Sequence, residues 1–164
     1  MSTMNTIVST QDVVDFVEHE AELSDAHRLQ EWLDLWNRDR ALYYVPYGDE
    51  DVDSLRVAII RDDYGQLCQR IQRLTGGSAH AQNPPSQLCR IMSRVTTREG
   101  EDGSVVATSK FVCVESRPDR EVLWAGKTIH TVAPGAAGGG LELWRKEVRL
   151  VNSQKEIPPL AFLI

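Results

Sequence analysis

An α+β domain, with helices first and a mainly antiparallel sheet after them, is the fold class this chain of 164 residues predicts. Three observations predict it. Apolar residues recur at helical spacing between Asp12 and Trp36 and again between Tyr64 and Leu74. From Leu88 onward the texture changes to long runs rich in Val, Ile and Thr, and those runs are parted by short Gly-, Pro- and Asp-containing segments that suit hairpins. The length matches one domain, 1–164, because domains usually hold roughly 100 to 200 residues.

In chain order, Val13, Phe16, Val17 and Ala21, followed by Leu29, Trp32, Leu33 and Trp36, form apolar stripes that predict two helices or one bent helix. The break is expected at Leu23-Ser24-Asp25, where Ser and Asp oxygens accept hydrogen bonds from the free N–H groups of a helix start. Leu42–Tyr47, rich in Tyr and Val, predicts a short strand that stops at the solvated turn Gly48-Asp49-Glu50-Asp51. Arg56–Ile60 predicts another short strand. Asp62 and Asp63 then favour a helix N-terminus, Tyr64, Leu67, Cys68, Ile71 and Leu74 supply the buried stripe, and Arg70 and Arg73 fall near the C-terminal end. Gly76-Gly77 is expected to stop that helix through the left-handed geometry that glycine accepts. Leu88–Arg98, Val105–Ser116, Glu121–Val132 and Leu141–Ser153 predict four long strands. They are joined by Glu99-Gly100-Glu101-Asp102-Gly103, by Arg117-Pro118-Asp119-Arg120 and by the hairpin loop 135–140. The closing run Ile157-Pro158-Pro159-Leu160-Ala161-Phe162-Leu163-Ile164 is too apolar to be left in water and is expected to pack in an extended form, since the prolines forbid a helix.

A formal net charge of -6 argues against a nucleic-acid partner, which requires clustered Lys and Arg. Cys68, Cys89 and Cys113 are an odd, widely spaced set in apolar runs, so no disulfide framework is implied. Residues 1–10 lack a basic start followed by an apolar run, and no stretch approaches the roughly 20 apolar residues that cross a bilayer. A cytoplasmic protein without a membrane partner is the expectation.

The search for chemistry yields no catalytic, cofactor-binding or metal-binding residues. None of the three cysteines has a histidine within three positions, and His19, His27, His80 and His130 are scattered, so they are expected at the surface or in local hydrogen bonds. The run 135–140 lacks the Gly-Lys-Ser/Thr of a phosphate loop, and no Gly-x-Ser-x-Gly elbow occurs. Trp32, Trp36, Trp124 and Trp144 read as core or interface anchors. Arg90 and Arg94 are placed on one face of a strand, where they would meet carboxylates of another chain or water.

One pattern runs through most of the chain. A Leu- and Arg-rich helix ending at Thr75-Gly76-Gly77, then Asn83-Pro84-Pro85-Ser86, then the strand Arg90-Ile91-Met92-Ser93-Arg94-Val95, resembles the small (beta) subunits of bacterial aromatic-ring-hydroxylating dioxygenases. The opening Phe16-Val17-Glu18-His19-Glu20-Ala21-Glu22-Leu23-Ser24-Asp25 and Glu31-Trp32-Leu33-Asp34-Leu35 are similar to that family's first helices, and Tyr43-Tyr44-Val45-Pro46 to its first strand. Trp124-Ala125-Gly126-Lys127 and the basic strand 145–152 match as well, whereas Cys89 and the Gly-rich loop after Pro134 depart from the pattern. The resemblance implies a nuclear-transport-factor-2-like cone with N-terminal helices on a strongly curved sheet. It also implies a subunit with no cofactor of its own, assembled three-plus-three with an alpha subunit that carries a Rieske [2Fe-2S] cluster and a mononuclear non-haem iron. NADH would feed that complex through a reductase, with or without a ferredoxin, and O2 would be added to an aromatic ring. The same cone fold also hosts isomerases and dehydratases, for which Tyr43, Tyr44, His27 and Asp39 would be the candidate pocket residues.

Overall fold

The first helix begins where its sequence closes a capping box. The Asp12 N–H donates to Ser9 Oγ at 3.1 Å while the Ser9 N–H donates to the Asp12 carboxylate at 3.1 Å, and α1 runs Thr10–Asp25. It turns Val13, Val17, Ala21 and Leu23 inward and leaves Asp15, Glu18 and Glu22 in water. His27 adopts the left-handed region at φ 54°, the Arg28 N–H reaches back to the Leu23 carbonyl at 3.0 Å, and the short helix α2, Leu29–Asp34, follows. There are therefore two helices, and the break falls after the expected position. Ser24 and Asp25 stay in α1, where the Ser24 hydroxyl donates to the Glu20 carbonyl at 3.2 Å instead of capping the next helix. This computed structural model describes residues 8–49, 57–76 and 84–164.

The sheet comprises β1 (Leu42–Val45), β2 (Ile60–Asp62), β3 (Gln87–Met92), β4 (Thr96–Glu99), β5 (Val105–Arg117), β6 (Arg120–Pro134) and β7 (Leu141–Leu150). Their order is β2-β1-β7-β6-β5-β3, with β4 also on β5. Every pairing is antiparallel except β1 with β7, which is parallel and sets Leu42 beside Arg145 and Tyr44 beside Glu147. Helix α3, Tyr64–Thr75, starts at a second capping box between Asp63 and Gln66 and buries Leu67 and Ile71. One face of the sheet and the helices share a core that includes Val17, Leu33, Trp36, Phe111, Leu143 and Val148.

Several boundaries differ from the sequence reading, each for a local reason. The span Leu88–Arg98 is two strands, because at Ser93 the chain bonds to Lys110 through both its backbone and its hydroxyl and then leaves the ladder until Thr96. Asp62 ends a strand at Ile60–Asp62 and accepts an ion pair from Arg70 at 2.6 Å, so Asp63 alone caps α3. Residue 56, predicted to open that strand, lies outside the described residues, as do Glu50, Asp51, Gly77 and His80. Gly76 closes α3 with φ -84°, outside the left-handed region. The first strand ends at Val45 rather than Tyr47, and the last at Leu150 rather than Ser153. In the β4–β5 turn, Asp102 and Gly103 have φ 55° and 76°, both positive as a two-residue Asp-Gly hairpin demands.

Two features give the cone its shape. The β6–β7 register slips between Thr131 and Val132, a bulge that bends the ladder. At Gly126 the β7 backbone comes so close that a Cβ there would collide with the carbonyl oxygen of Arg149, a main-chain atom that cannot swing away. Gly126→Ala should therefore cost about 1 to 3 kcal/mol through overpacking. A urea midpoint equal to wild type would show that the strands can part there freely.

The tail behaves as its apolarity demands. Phe162, Leu163 and Ile164 are buried in the core. Phe162 packs edge-on against Trp124 with ring centroids 5.7 Å apart, and Tyr43 bonds both the N–H and the carbonyl of Ile164. Each of these side chains stabilises the fold by about 1.5 to 3 kcal/mol, a large share of the roughly 5 to 15 kcal/mol a domain possesses. Deletion of Leu160–Ile164 should leave a chain without a cooperative urea transition. A truncated chain with unchanged stability would show the tail to be dispensable.

Candidate functional site

Side chains from helices and sheet converge inside the cone on one carboxylate. Glu20 projects from the buried stripe of α1, one turn beyond Val17, and is 1% exposed. Lys146, on the inward face of β7 and 0% exposed, donates from Nζ to Glu20 Oε1 at 2.8 Å. The Trp32 indole N–H of α2 donates to the same oxygen, and His130 of β6 donates from Nε2 to Oε2 at 3.0 Å. The Lys146 ammonium also lies 6.0 Å from the Trp32 ring centroid and 5.8 Å from that of Tyr43.

Burial opposes the charge on Glu20, but the Lys146 charge and the bonds from His130 and Lys146 outweigh it, and its proton affinity ends well below the usual carboxylate value. Burial also lowers His130 and Lys146, with Glu20 working against it in both. The imidazole is therefore neutral with its proton on Nε2, and its buried Nδ1 has no hydrogen-bond partner among the described residues. Oε1 thus carries the Lys146 and Trp32 bonds and Oε2 the His130 bond. The Lys146 ammonium supplies the positive charge beside this carboxylate.

A second buried carboxylate organises the other end of the interior. Glu115 of β5 accepts from the Ser86 hydroxyl at 2.7 Å, from Arg117 Nε at 2.8 Å and from the Trp124 indole at 3.0 Å. Burial raises its proton affinity, and these bonds together with the Arg117 charge overcome that and lower it. His27 Nε2 lies 2.7 Å from the Ser86 carbonyl, so the residue after Pro84-Pro85 is held by the end of α1 and by β5 at once. Arg90 points inward from β3 to Asp25 at 3.0 Å and to the Leu163 carbonyl at 3.1 Å, with its guanidinium 5.6 Å from the Phe111 ring centroid. The expectation that Arg90 and Arg94 share an outward face is thus corrected. Arg90 sits in register with Cys113 on the inner face, and Arg94 falls in the exposed break after β3.

The candidate pocket residues of the isomerase or dehydratase reading are not brought together. Tyr43 points inward and spends its hydroxyl on Ile164, and burial pushes its proton affinity upward. Tyr44 belongs to the opposite face, beneath Arg61 at 5.5 Å. His27 is held at Ser86, and Asp39 is exposed beyond α2, its N–H bonded to Asn37 Oδ1 at 3.0 Å. Trp32, Trp36 and Trp124 are core residues. Trp144 lies half-buried on the outer face under Arg40 at 4.2 Å, beside a polar cleft in which Arg40 is paired with Asp102 and Arg145 with Glu147. Among the described residues no group of three or more His, Cys, Asp and Glu side chains could hold a metal, and no helix is long and apolar enough to cross a membrane. Sequence reasoning missed Glu20, Glu115 and Lys146, although each stands at an inward position of a stripe otherwise filled by apolar residues.

A cone of helices on a curved sheet, its interior spent on structural bonds, places the chain in the nuclear-transport-factor-2-like class. An NTF2-like protein of Novosphingobium aromaticivorans superposes on 87% of this chain and 81% of its own length, with a TM-score of 0.58 and 14% identity. The branch within that class is also defined. The family model for the ring hydroxylating beta subunit matches residues 19–155, and the chain belongs to that family. The small oxygenase component of the p-cumate 2,3-dioxygenase system of Pseudomonas putida is 31% identical over 126 residues, which are 74% of this chain and 68% of that one. The crystal structure of the beta subunit of benzoate 1,2-dioxygenase from Burkholderia mallei covers 99% of this chain and 100% of its own with a TM-score of 0.75 at 16% identity.

Folding lowers the proton affinity of Glu20, His130 and Lys146 alike, so the unfolded chain binds protons that the folded one refuses and stability falls on acidification. His130 acts first, below its ordinary 6.5, and Glu20 adds to the loss below 4.5 until the folded groups themselves protonate. The lowered Lys146 costs stability at neutral pH and is relieved only toward its ordinary 10.5. The urea midpoint should decline between about pH 7 and pH 5, and His130→Gln should flatten that decline. A wild-type profile that is level over this range would contradict the buried neutral imidazole.

Proposed function

We propose that this chain is a structural, non-catalytic beta subunit of an aromatic-ring-hydroxylating dioxygenase, one domain over residues 1–164 with no catalytic, cofactor or metal residues of its own. It works in the cytoplasm, in three-plus-three assembly with an alpha subunit. That partner carries the Rieske [2Fe-2S] cluster and the mononuclear iron, receives electrons from NADH through a reductase, and adds O2 to an aromatic ring in aromatic-compound catabolism. The beta chain contributes rigidity, holding alpha chains so that the cluster of one stays near the iron of another.

The observation that supports this reading, beside family membership, is how the interior is used. Inside the cone, Glu20 accepts bonds from Lys146, Trp32 and His130, and the Tyr43 hydroxyl is bonded to Ile164. A carboxylate paired with a buried ammonium, its proton affinity well below the usual range, is a weak base for drawing a proton from a substrate.

Expressed alone, the chain should purify colourless and without stoichiometric iron. Co-expressed with its alpha subunit, it should be recovered in equal amount in a complex that shows Rieske absorption. One iron per beta chain that survives chelation, or failure of the two chains to co-purify, would refute the reading.

A further inference from the structure

The outer face of the sheet holds a cleft of about 820 Å3 at the end nearest the β4–β5 turn. Pockets that take small molecules measure roughly 300 to 1,000 Å3. One register row crosses its floor: Arg98 of β4 beside Val106 of β5, then Thr131 of β6, Arg145 of β7 and Leu42 of β1. Alternation puts these side chains on one face and sends that of Glu99, in register with Val105, to the other. Val106 stands six residues along β5 from Val112, so the cleft is separate from the exposed apolar residues Ile91, Val112 and Leu123.

The wall of the cleft is built from a second layer. Arg40 lies over the Trp144 indole, 4.2 Å from its centroid, and reaches Asp102 of the turn at 2.8 Å. Trp144 donates its own N–H to Glu142 at 2.9 Å, so the ring beneath Arg40 is itself held. The turn is closed by the Gly100 N–H on the Ser104 carbonyl at 2.9 Å and by the Ser104 hydroxyl on the Glu101 carbonyl at 2.6 Å.

Guanidinium charge is gathered here in a chain whose net charge is -6. Arg40, Arg98 and Arg145 reach the cleft from three different elements. Asp102 serves Arg40, whereas Glu147 divides its two oxygens between Arg145 and Arg149. Arg98 has no ion-pair partner among the described residues and makes only a long bond, 3.4 Å, to the Glu99 carbonyl. Glu101, exposed in the turn, is the carboxylate at the edge that no described cation holds. Between Arg98 and Arg145 the floor is Val106 and the Thr131 side chain, with Ile129 in the next row and Leu42 beyond.

A guanidinium fork matches the two oxygens of a carboxylate. We propose that this cleft binds a small organic carboxylate, its anionic end shared by Arg98 and Arg145 and its apolar body on Val106, Ile129 and Leu42 beside Trp144. Three strand spacings, about 14 Å, separate the two arginine Cα atoms, a span that two extended side chains with a carboxylate between them bridge. An inorganic anion would leave the apolar floor in water, and a neutral molecule would leave Arg98 without a counter-charge. The site uses residues of this chain alone, so the inference goes beyond the subunit reading and stands apart from it.

Titration of the isotope-labelled chain with benzoate, a simple carboxylate on a flat apolar body, tests the site. The readouts are calorimetric heat and the Trp144 indole N–H resonance, identified by its loss in Trp144→Phe. Benzoate should bind saturably, one to one, below about 10 mM, and more weakly as NaCl is raised. The Trp144 resonance should move while those of the buried Trp32 and Trp124 stay in place. Benzamide, which keeps the body without the charge, and acetate, which keeps the charge without the body, should each bind at least about tenfold more weakly. Arg98→Gln and Arg145→Gln should each weaken benzoate at least about tenfold, with the exposed Arg98 leaving the urea midpoint at the wild-type value. Arg120→Gln, in the turn at the far end of β5 and β6, should bind as wild type does. No saturable binding, benzamide or acetate binding as tightly as benzoate, or benzoate binding that survives both arginine exchanges overturns the proposal. Co-purification with alpha is a separate measurement, so the two readings fail independently.

Discussion

The Glu20–Lys146 contact is the constraint on which the rest of this fold depends. It joins residues 126 positions apart, and through Trp32 and His130 the same carboxylate also holds α2 and β6. Four elements, α1, α2, β6 and β7, are thereby fixed by one group whose position leaves no slack, since Lys146 is fully buried and any shift would strand a charge without a partner. Replacing such a pair by apolar side chains of equal volume is often neutral for stability, while removing a single partner typically costs about 3 to 5 kcal/mol. What it contributes is therefore register: helices slid by one residue on the sheet would bury Glu20 against Val or Leu, and the penalty excludes that arrangement.

The remaining polar contacts of the interior follow from this placement. With α1 fixed, its end delivers His27 to the Ser86 carbonyl and Asp25 to Arg90, and Arg90 in turn reaches the Leu163 carbonyl. With β7 fixed, the parallel strand β1 sets Tyr43 inward, where its hydroxyl receives the chain terminus. Glu115, held by Ser86, Arg117 and Trp124, does for β3 and β5 what Glu20 does for the helices. The Pro-Pro-Ser signature has a plain physical sense here. Two prolines present an extended backbone, and Ser86 is the small donor that reaches a buried carboxylate.

Periodicity made the helices and the three longest strands legible, because each buries one face and the alternation survives in the residue order. The β3–β4 break was not legible, since Ser93-Arg94-Val95 keeps strand-like composition and only the partner residue Lys110 shows where the ladder is left. Arg90 misled for a related reason. An arginine on a strand reads as an outward residue, yet its neighbours in the inward alternation, Leu88 and Met92, place it inside. Glu20 is masked by Glu18, His19 and Glu22, although Val13, Val17, Glu20 and Ser24 share one face of α1. Polar residues at apolar phases were the available signal for Arg90 and Glu20, and pairwise partners far apart in sequence were the part that no single segment contains.

The buried tail and the exposed apolar residues of the outer face make sense together. A domain that keeps a pocket forgoes the burial energy of the side chains that would fill it, and enzymes of this shape accept that cost for their chemistry. In this chain Phe162, Leu163 and Ile164 are buried in the interior and add their burial energy to the fold. The apolar surface left over lies outside, on β3, β5 and β6, where it destabilises an isolated chain by inviting aggregation and gains value only when covered. Carrying exposed apolar surface on a core cross-linked by buried polar bonds suits a part made to be assembled, because the core resists deformation while the exposed band supplies the driving force for association.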